Sequence, residues 1–300
     1  MNPPAAYLIG LAKCGTTFVR GYLEKHPEII LARSAHHFMM PQERYEAGHP
    51  FYLREFEKPK YDGKYVIDCC ETLGHGFVFD EFDPYASDPC LVPGGNCVTT
   101  YDPHTIIDRI RGTFGHRIKI ILIIRNQIDM LRSVMKWYRD DVPSPVDFMQ
   151  TETWFRYVKG GMYHSTVSNW SSRFESENMI VIPLEWMKMC PDSTMQWLLF
   201  FLGVSEGKPY AQADQVGNRN AGVSNKEYNL FALRNKYPGI WMPPSLVLPF
   251  MSDEILPKKI IESLHGLYAA SNQATSGQIG FNLKDFGYPI GGEPCTSERR

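Results

Sequence analysis

The chain predicts an α/β fold: a mostly parallel central sheet flanked by helices in three layers. Three observations carry that expectation. Short apolar runs rich in β-branched residues alternate with helix-like stretches, as in sheets covered on both faces. One run, Tyr7–Gly10, passes through a glycine-bounded turn into Gly15-Thr16-Thr17, which opens a helix. Another, Ile118–Ile124, is almost unbroken in its apolar character, like a strand inside a parallel sheet.

Strands are expected at Ala6–Ile9, Tyr65–Ile67, Lys119–Ile124 and Met179–Pro183. The first helix should begin near Thr16 and stop before Pro27, because the residue preceding a proline is biased away from helix. A second should follow Asn126 and run to about Tyr138, and a third should span Ser193 to Leu202, with Gly203 as its C-terminal stop. Asp80–Pro103, rich in Pro, Gly, Asp and Ser, reads as an irregular insertion suited to the rim of a binding site. Gly207–Asn229 reads as a second functional loop, and the proline-rich Pro238–Pro249 as a surface excursion. With no internal repeat and no low-complexity tract, residues 1–300 are expected to form a single domain.

A hydrophobic fraction of 43% and a charged fraction of 21% are those of an ordinary globular enzyme. A net charge of −2 provides no global field to draw nucleic acid, and it argues against a long polyanionic glycan as substrate. No apolar run approaches the roughly 18 residues of a membrane span. A strand beginning at Tyr7 leaves no room for a signal peptide. The expected compartment is therefore cytoplasmic, with a trimmed Golgi-lumenal domain as the alternative. The seven cysteines show no C-x-x-C pair and no zinc-like spacing, so plain thiols and no metal are expected; whether Cys90 and Cys97 pair is left open.

Chemistry concentrates in two places. Strand, turn and helix N-terminus over Tyr7–Phe18 form an anion cradle, in which backbone N–H groups and the helix dipole favour a phosphate. A nucleoside-triphosphate loop places Lys directly after its second glycine. Here Thr16 takes that place and Lys13 lies three residues earlier, so the geometry is not that of an ATPase. The second place is Arg125, directly after the Ile118–Ile124 run, with Ser133 eight residues on. Arg offers a planar fork of donors to a phosphate dianion, and a helical Ser adds a hydroxyl. Trp137 and Tyr138 read as core residues.

Lys13-Cys14-Gly15-Thr16-Thr17, followed by a helix ending at His26-Pro27, resembles the 5′-phosphosulfate loop of sulfotransferases that use 3′-phosphoadenosine-5′-phosphosulfate (PAPS). Arg125 and Ser133 resemble the same family's 3′-phosphate motif, with Gln127 where the family usually has Pro. The strand, Glu185-containing turn and Phe201-Leu202-Gly203 helix end, and later Ser271-Asn272 and Asp285-Phe286-Gly287-Tyr288-Pro289, extend the likeness from about residue 6 to 289. The resemblance implies a P-loop NTPase-like sulfotransferase fold. It also implies transfer of a sulfuryl group from PAPS to a hydroxyl or amine, leaving 3′,5′-adenosine bisphosphate (PAP), without a metal. Lys13 would stabilise the leaving oxygen. Lys13, Cys14, Gly15, Thr16, Thr17 and Phe18 would hold the 5′-phosphate, and Arg125 and Ser133 the 3′-phosphate, with Arg219 closing over it from the late loop.

Two departures concern the acceptor. Carbohydrate members carry a Glu shortly after the first helix, where this chain has Ser34; His36, then His37, are the bases expected in its place, imidazole having a suitable natural pKa. After the next strand a family Lys is replaced by the stretch holding Asp68 and Glu71, carboxylates suited to acting as base or to meeting a cationic group. The acceptor is expected to be a small natural product rather than a glycan. A P-loop kinase of a small metabolite and a non-catalytic nucleotide-binding module are the alternatives, and a homodimer is left open.

Overall fold

The computed structural model describes residues 4–32, 35–39, 42–70, 103–138, 145–204 and 256–291. The expected irregular stretches at 80–103, 207–229 and 238–249 lie outside these, except Pro103, which opens a helix.

Five strands form one parallel sheet in the order β2-β3-β1-β4-β5: β1 Ala6–Gly10, β2 Ile29–Ala32, β3 Tyr65–Cys70, β4 Lys119–Ile124 and β5 Met179–Pro183. The four expected strands are present, and β2 is an addition. It has only four residues on the sheet edge, two of them half-buried. A run so short does not distinguish strand from helix by periodicity; its pairing with β3 settles it. β1 is central and completely buried, and β4 is buried from Ile120 onward.

The chain leaves β1 toward one edge of the sheet, through α1 (Thr16–Leu23), to reach β2. It leaves β4 toward the other edge, through α4 (Gln127–Tyr138), α5 (Pro145–Met149), α6 (Glu152–Gly160) and α7 (Tyr163–Ser171), to reach β5. Crossovers running in opposite directions leave a crevice at the C-terminal ends of β1 and β4, the topological switch point where α/β sheets bind ligands. Register pairs Gly10 with Ile123, so Lys13 and Arg125 emerge at that crevice.

The remaining helices are α2 (Gln42–Glu55), α3 (Pro103–Phe114), α8 (Leu184–Met189), α9 (Pro191–Leu202, ending at Gly203 with φ 72°) and α10 (Lys258–Ile279). The long α10 packs on α7 and touches α4. Its contact with the site passes through a buried amide pair. Gln127 Nε2 donates to Asn272 Oδ1 (2.5 Å) and to the Gly161 carbonyl (3.0 Å). Asn272 Nδ2 donates to Gln127 Oε1 (3.2 Å) and to the Pro289 carbonyl (2.9 Å). Both side chains are fully buried.

This accounts for Gln127 at a place that suits proline. The position is the first of α4, where a missing N–H costs nothing, and Asn126 caps the helix by accepting from the amides of Ile128 and Asp129. Gln instead uses its side chain to bind α10. Gln127→Pro should therefore keep the helix start but strand Asn272 in the core. The expected loss is about 1–3 kcal/mol of unfolding free energy, measured by urea denaturation.

Candidate active site

β1 ends where its backbone must pass close to β4: a Cβ on Gly10 would lie 3.0 Å from the Ile123 carbonyl oxygen. The Cys14 amide then donates to the Leu11 carbonyl (3.0 Å), closing a tight turn. Lys13 sits in that turn at φ 70°, the one non-glycine residue with positive φ among the described residues. Left-handed backbone costs a residue with a Cβ about 1–2 kcal/mol. Such strain gathers at functional sites.

Gly15 follows at φ 97° as the N-cap of α1, with a hypothetical Cβ only 2.5 Å from Leu184 Cδ1. The amides of Gly15, Thr16 and Thr17 lie in the first turn, where an α-helix supplies no acceptors of its own. Thr16 is buried and Thr17 exposed. Cys14 points into the core, with Sγ 3.6 Å from the Tyr163 hydroxyl; burial pushes its thiol up to about 11, which makes it a packing group rather than a nucleophile.

Arg125, one residue past β4, joins this loop directly. Its Nη1 donates to the Lys13 carbonyl at 2.8 Å, and its buried Nε meets no acceptor among the described residues. From α4, Trp137 joins the same group. Lys13 Nζ stands 3.5 Å from the centre of the Trp137 ring, one helical turn beyond the half-buried Ser133. Both ends of Lys13 are thus held by the β4–α4 unit: the carbonyl by Arg125 and the ammonium by Trp137.

The core assignment holds for Tyr138, which stacks on Phe148 at 5.3 Å; the half-buried Trp137 also packs against the core and in addition turns its face to the lysine. Its spacing of four from Ser133 was the signal available in the sequence. Lys188 of α8, an exposed residue, lies within electrostatic reach of Arg125. Partial desolvation and the Arg125 charge hold its pKa below the usual lysine range, against the pull of Glu185 and Asp129.

His37 and Asp68 are placed elsewhere. Tyr7 and Gly10, three apart on β1, point to opposite faces of the sheet. Gly10 faces Thr16, whereas Tyr7 faces an aromatic layer built from α2, α3 and the 3-10 helix Ala35–Met39. His37 lies in that layer at 5% exposure, stacked on Tyr45 and Tyr52 at 4.9 Å each, with Nε2 3.2 Å from His49 Nδ1. Asp68 is fully buried, paired in register with Tyr7 and accepting from the Tyr52 hydroxyl at 3.3 Å.

The contacts seen for both residues belong to this layer. Asp68 lies three residues before the β1 end, about 10 Å short of the crevice at strand rise. The geometry is that of core groups, and nothing local in Ala35-His36-His37-Phe38 distinguishes an imidazole turned inward. The His36 side chain, Glu71 and Arg219 fall outside the described residues.

The family model places this protein in the sulfotransferase class. The chain belongs to that family: the model described as "Sulfotransferase domain" matches residues 3–216. Among solved structures, a sulfotransferase from Alicyclobacillus acidocaldarius has the same fold, with a TM-score of 0.61 over 96% of this chain and 100% of that one, at 17% identity. Mouse sulfotransferase SULT7A1 complexed with PAP gives a TM-score of 0.48 at 17% identity, covering 95% of this chain and 88% of that one. The sulfotransferase domain from the curacin biosynthetic pathway gives 0.47 at 14% identity, covering 94% and 99%. No curated protein matches the sequence.

Two outcomes follow. Gly15→Ala should cost about 1–3 kcal/mol for backbone strain and more for the clash with Leu184. Gly63, at φ 65° with nothing within 4 Å, isolates the first term, so Gly15→Ala should lower the melting temperature more than Gly63→Ala.

Burial, with His49 and Arg109 facing it, lowers the His37 pKa from 6.5 to about 4. Between these values the unfolded chain takes up a proton that the folded chain refuses. The stabilisation is therefore complete above pH 6.5 and lost as pH falls toward 4. Urea unfolding across that window should show a shallower pH dependence in His37→Phe than in the wild type.

Proposed function

We propose that the chain transfers the sulfuryl group of PAPS to a hydroxyl or amine of a small-molecule acceptor. The observation that carries this reading is the Arg125–Lys13 junction. It brings an arginine whose buried Nε meets no acceptor among the described residues, and a strained, lysine-bearing loop, to one switch-point crevice. The residues fit the cofactor: the first-turn amides and the Thr16 and Thr17 hydroxyls suit a 5′-phosphate, and Arg125 with Ser133 suits a 3′-phosphate. Arg219 is proposed to close over that phosphate.

The cofactor supplies an activated sulfuryl group; the chain supplies placement and charge. Lys13 brings an ammonium to the oxygen on which negative charge develops as its bond to sulfur breaks. Trp137 keeps that ammonium at the mouth of the loop. The acceptor proton needs a base, and with His37 inside the aromatic layer the role is assigned to His36. Glu71 is proposed to face the acceptor. A net charge of −2 and the Ser34 replacement favour a small, non-polyanionic acceptor.

Calorimetric titration with PAP, ATP and 5′-AMP tests the nucleotide class. PAP should bind tightest by at least about tenfold, the worth of one charge-assisted phosphate contact. Equal or tighter ATP binding would return the chain to the kinase alternative. With labelled PAPS and an acceptor panel, Lys13→Ala should lower kcat by roughly 10²–10³ with a much smaller change in PAP affinity. Binding of PAP without turnover on any acceptor would favour a non-catalytic module.

A further inference from the structure

Arg125 is held by more of the chain than its own motif contains. The strand ladder ends beside it: Ile124 is paired with Pro183, which has no N–H to offer. Side chains take over from there. The Tyr163 hydroxyl, from the first residue of α7, accepts from the Arg125 amide (3.3 Å) and donates to the Arg125 carbonyl (2.6 Å). The next amide, that of Asn126, donates to Glu185 Oε1 at 3.0 Å. The other carboxylate oxygen, Oε2, accepts from the Tyr288 hydroxyl at 2.8 Å. The ring closes as Asn126 Nδ2 donates to the Gly287 carbonyl at 2.6 Å.

The C-terminal part of this ring is a tight turn. A short 3-10 helix, Leu283–Phe286, ends at Gly287 in left-handed conformation (φ 77°), and the Tyr288 amide returns to the Leu283 carbonyl. The turn delivers the buried Tyr288 ring under α8, beside Tyr163 with ring centres 6.4 Å apart. Glu185 lies in the first turn of α8, where a carboxylate is favoured by the helix dipole. It is half-buried; burial raises its pKa, while hydrogen bonds from the Asn126 amide, its own amide and the Tyr288 hydroxyl, with the Arg125 charge, pull the other way.

We propose that Glu185, with Tyr288 as its second contact, is a positioning residue that sets Arg125 for the 3′-phosphate, making the C-terminal turn part of the cofactor site. The proposal rests on the reading of Arg125 given above. Its reason is geometric. A guanidinium reaches two phosphate oxygens at once only from one pose. That pose depends on the backbone at 125–126, which the sheet no longer holds. Glu185 contacts the backbone rather than the phosphate, so its effect should appear only in ligands that carry the group Arg125 receives.

PAP and 5′-AMP differ only in the 3′-phosphate, so their dissociation constants separate positioning from general structure. In the full chain, Glu185→Ala should weaken PAP by roughly 10- to 100-fold, the worth of a charge-assisted contact, and leave 5′-AMP within about threefold. Glu185→Gln keeps an oxygen for the Asn126 amide and can turn its NH₂ to the Tyr288 oxygen, so it should restore PAP affinity to within about threefold. Tyr288→Phe should weaken PAP alone, by less than Glu185→Ala.

Equal losses for both nucleotides, or no loss for PAP, would overturn the proposal. Should Glu185→Ala not fold, Tyr288→Phe decides it by the same comparison, with Glu185→Gln as the variant expected to stay near the wild type. A wild-type protein with no preference for PAP over 5′-AMP, or an Arg125→Ala variant with unchanged PAP affinity, would overturn the cofactor reading itself and this proposal with it.

Discussion

The hydrogen bond from Arg125 Nη1 to the Lys13 carbonyl is the constraint around which the rest of the site is arranged. It ties the loop after β1 to the end of β4, the two strands between which the chain changes direction across the sheet. A charge-assisted bond of this kind is worth about 1.5–3 kcal/mol. Holding Lys13 in left-handed backbone costs about 1–2 kcal/mol. The contact is therefore large enough to keep the loop in a shape that its own residues would not choose.

Around that junction the structure divides its labour by sheet face and by depth. The Lys13 loop and α1 lie at the strand ends, supported by Leu184 against Gly15 and by the buried Cys14–Tyr163 contact. The opposite face carries an aromatic layer in which Tyr7, Tyr52, Phe38 and His37 pack around a buried Asp68. A buried carboxylate of this kind persists only with hydrogen-bond donors, and Tyr52 supplies one. Two residues whose types suggested acid–base chemistry thus lie within this layer.

Much of the fold was legible in the chain. Apolar runs announced four of five strands, β4 and β5 with their ends as observed and β1 and β3 ending one and three residues early, and Pro27 and Gly203 marked where helices had to stop. β2 escaped notice because four apolar residues show no period. The long α10, with its glycines, serines and alanines, has too weak a stripe to declare itself from sequence. In the site, Lys13, Gly15 and Arg125 could be picked out because loop spacing and a strand-end arginine are local signals. Glu185 and Tyr288 were visible only as members of segments resembling a family, without a task.

What the sequence determined by itself was therefore whatever depends on neighbours in the chain: the strand–turn–helix loop, the parallel class of sheet, the helix stops and the family. Tertiary structure alone decided which chemically capable side chains face the crevice. Trp137 turns to Lys13 because α4 crosses beside the loop, and His37 turns to Tyr52 because the turn after β2 packs against α2. Glu185 reaches Asn126 because β4 and β5 lie side by side in the sheet. No local spacing encodes these contacts; they arise only when burial of the strands brings separate elements of the chain together.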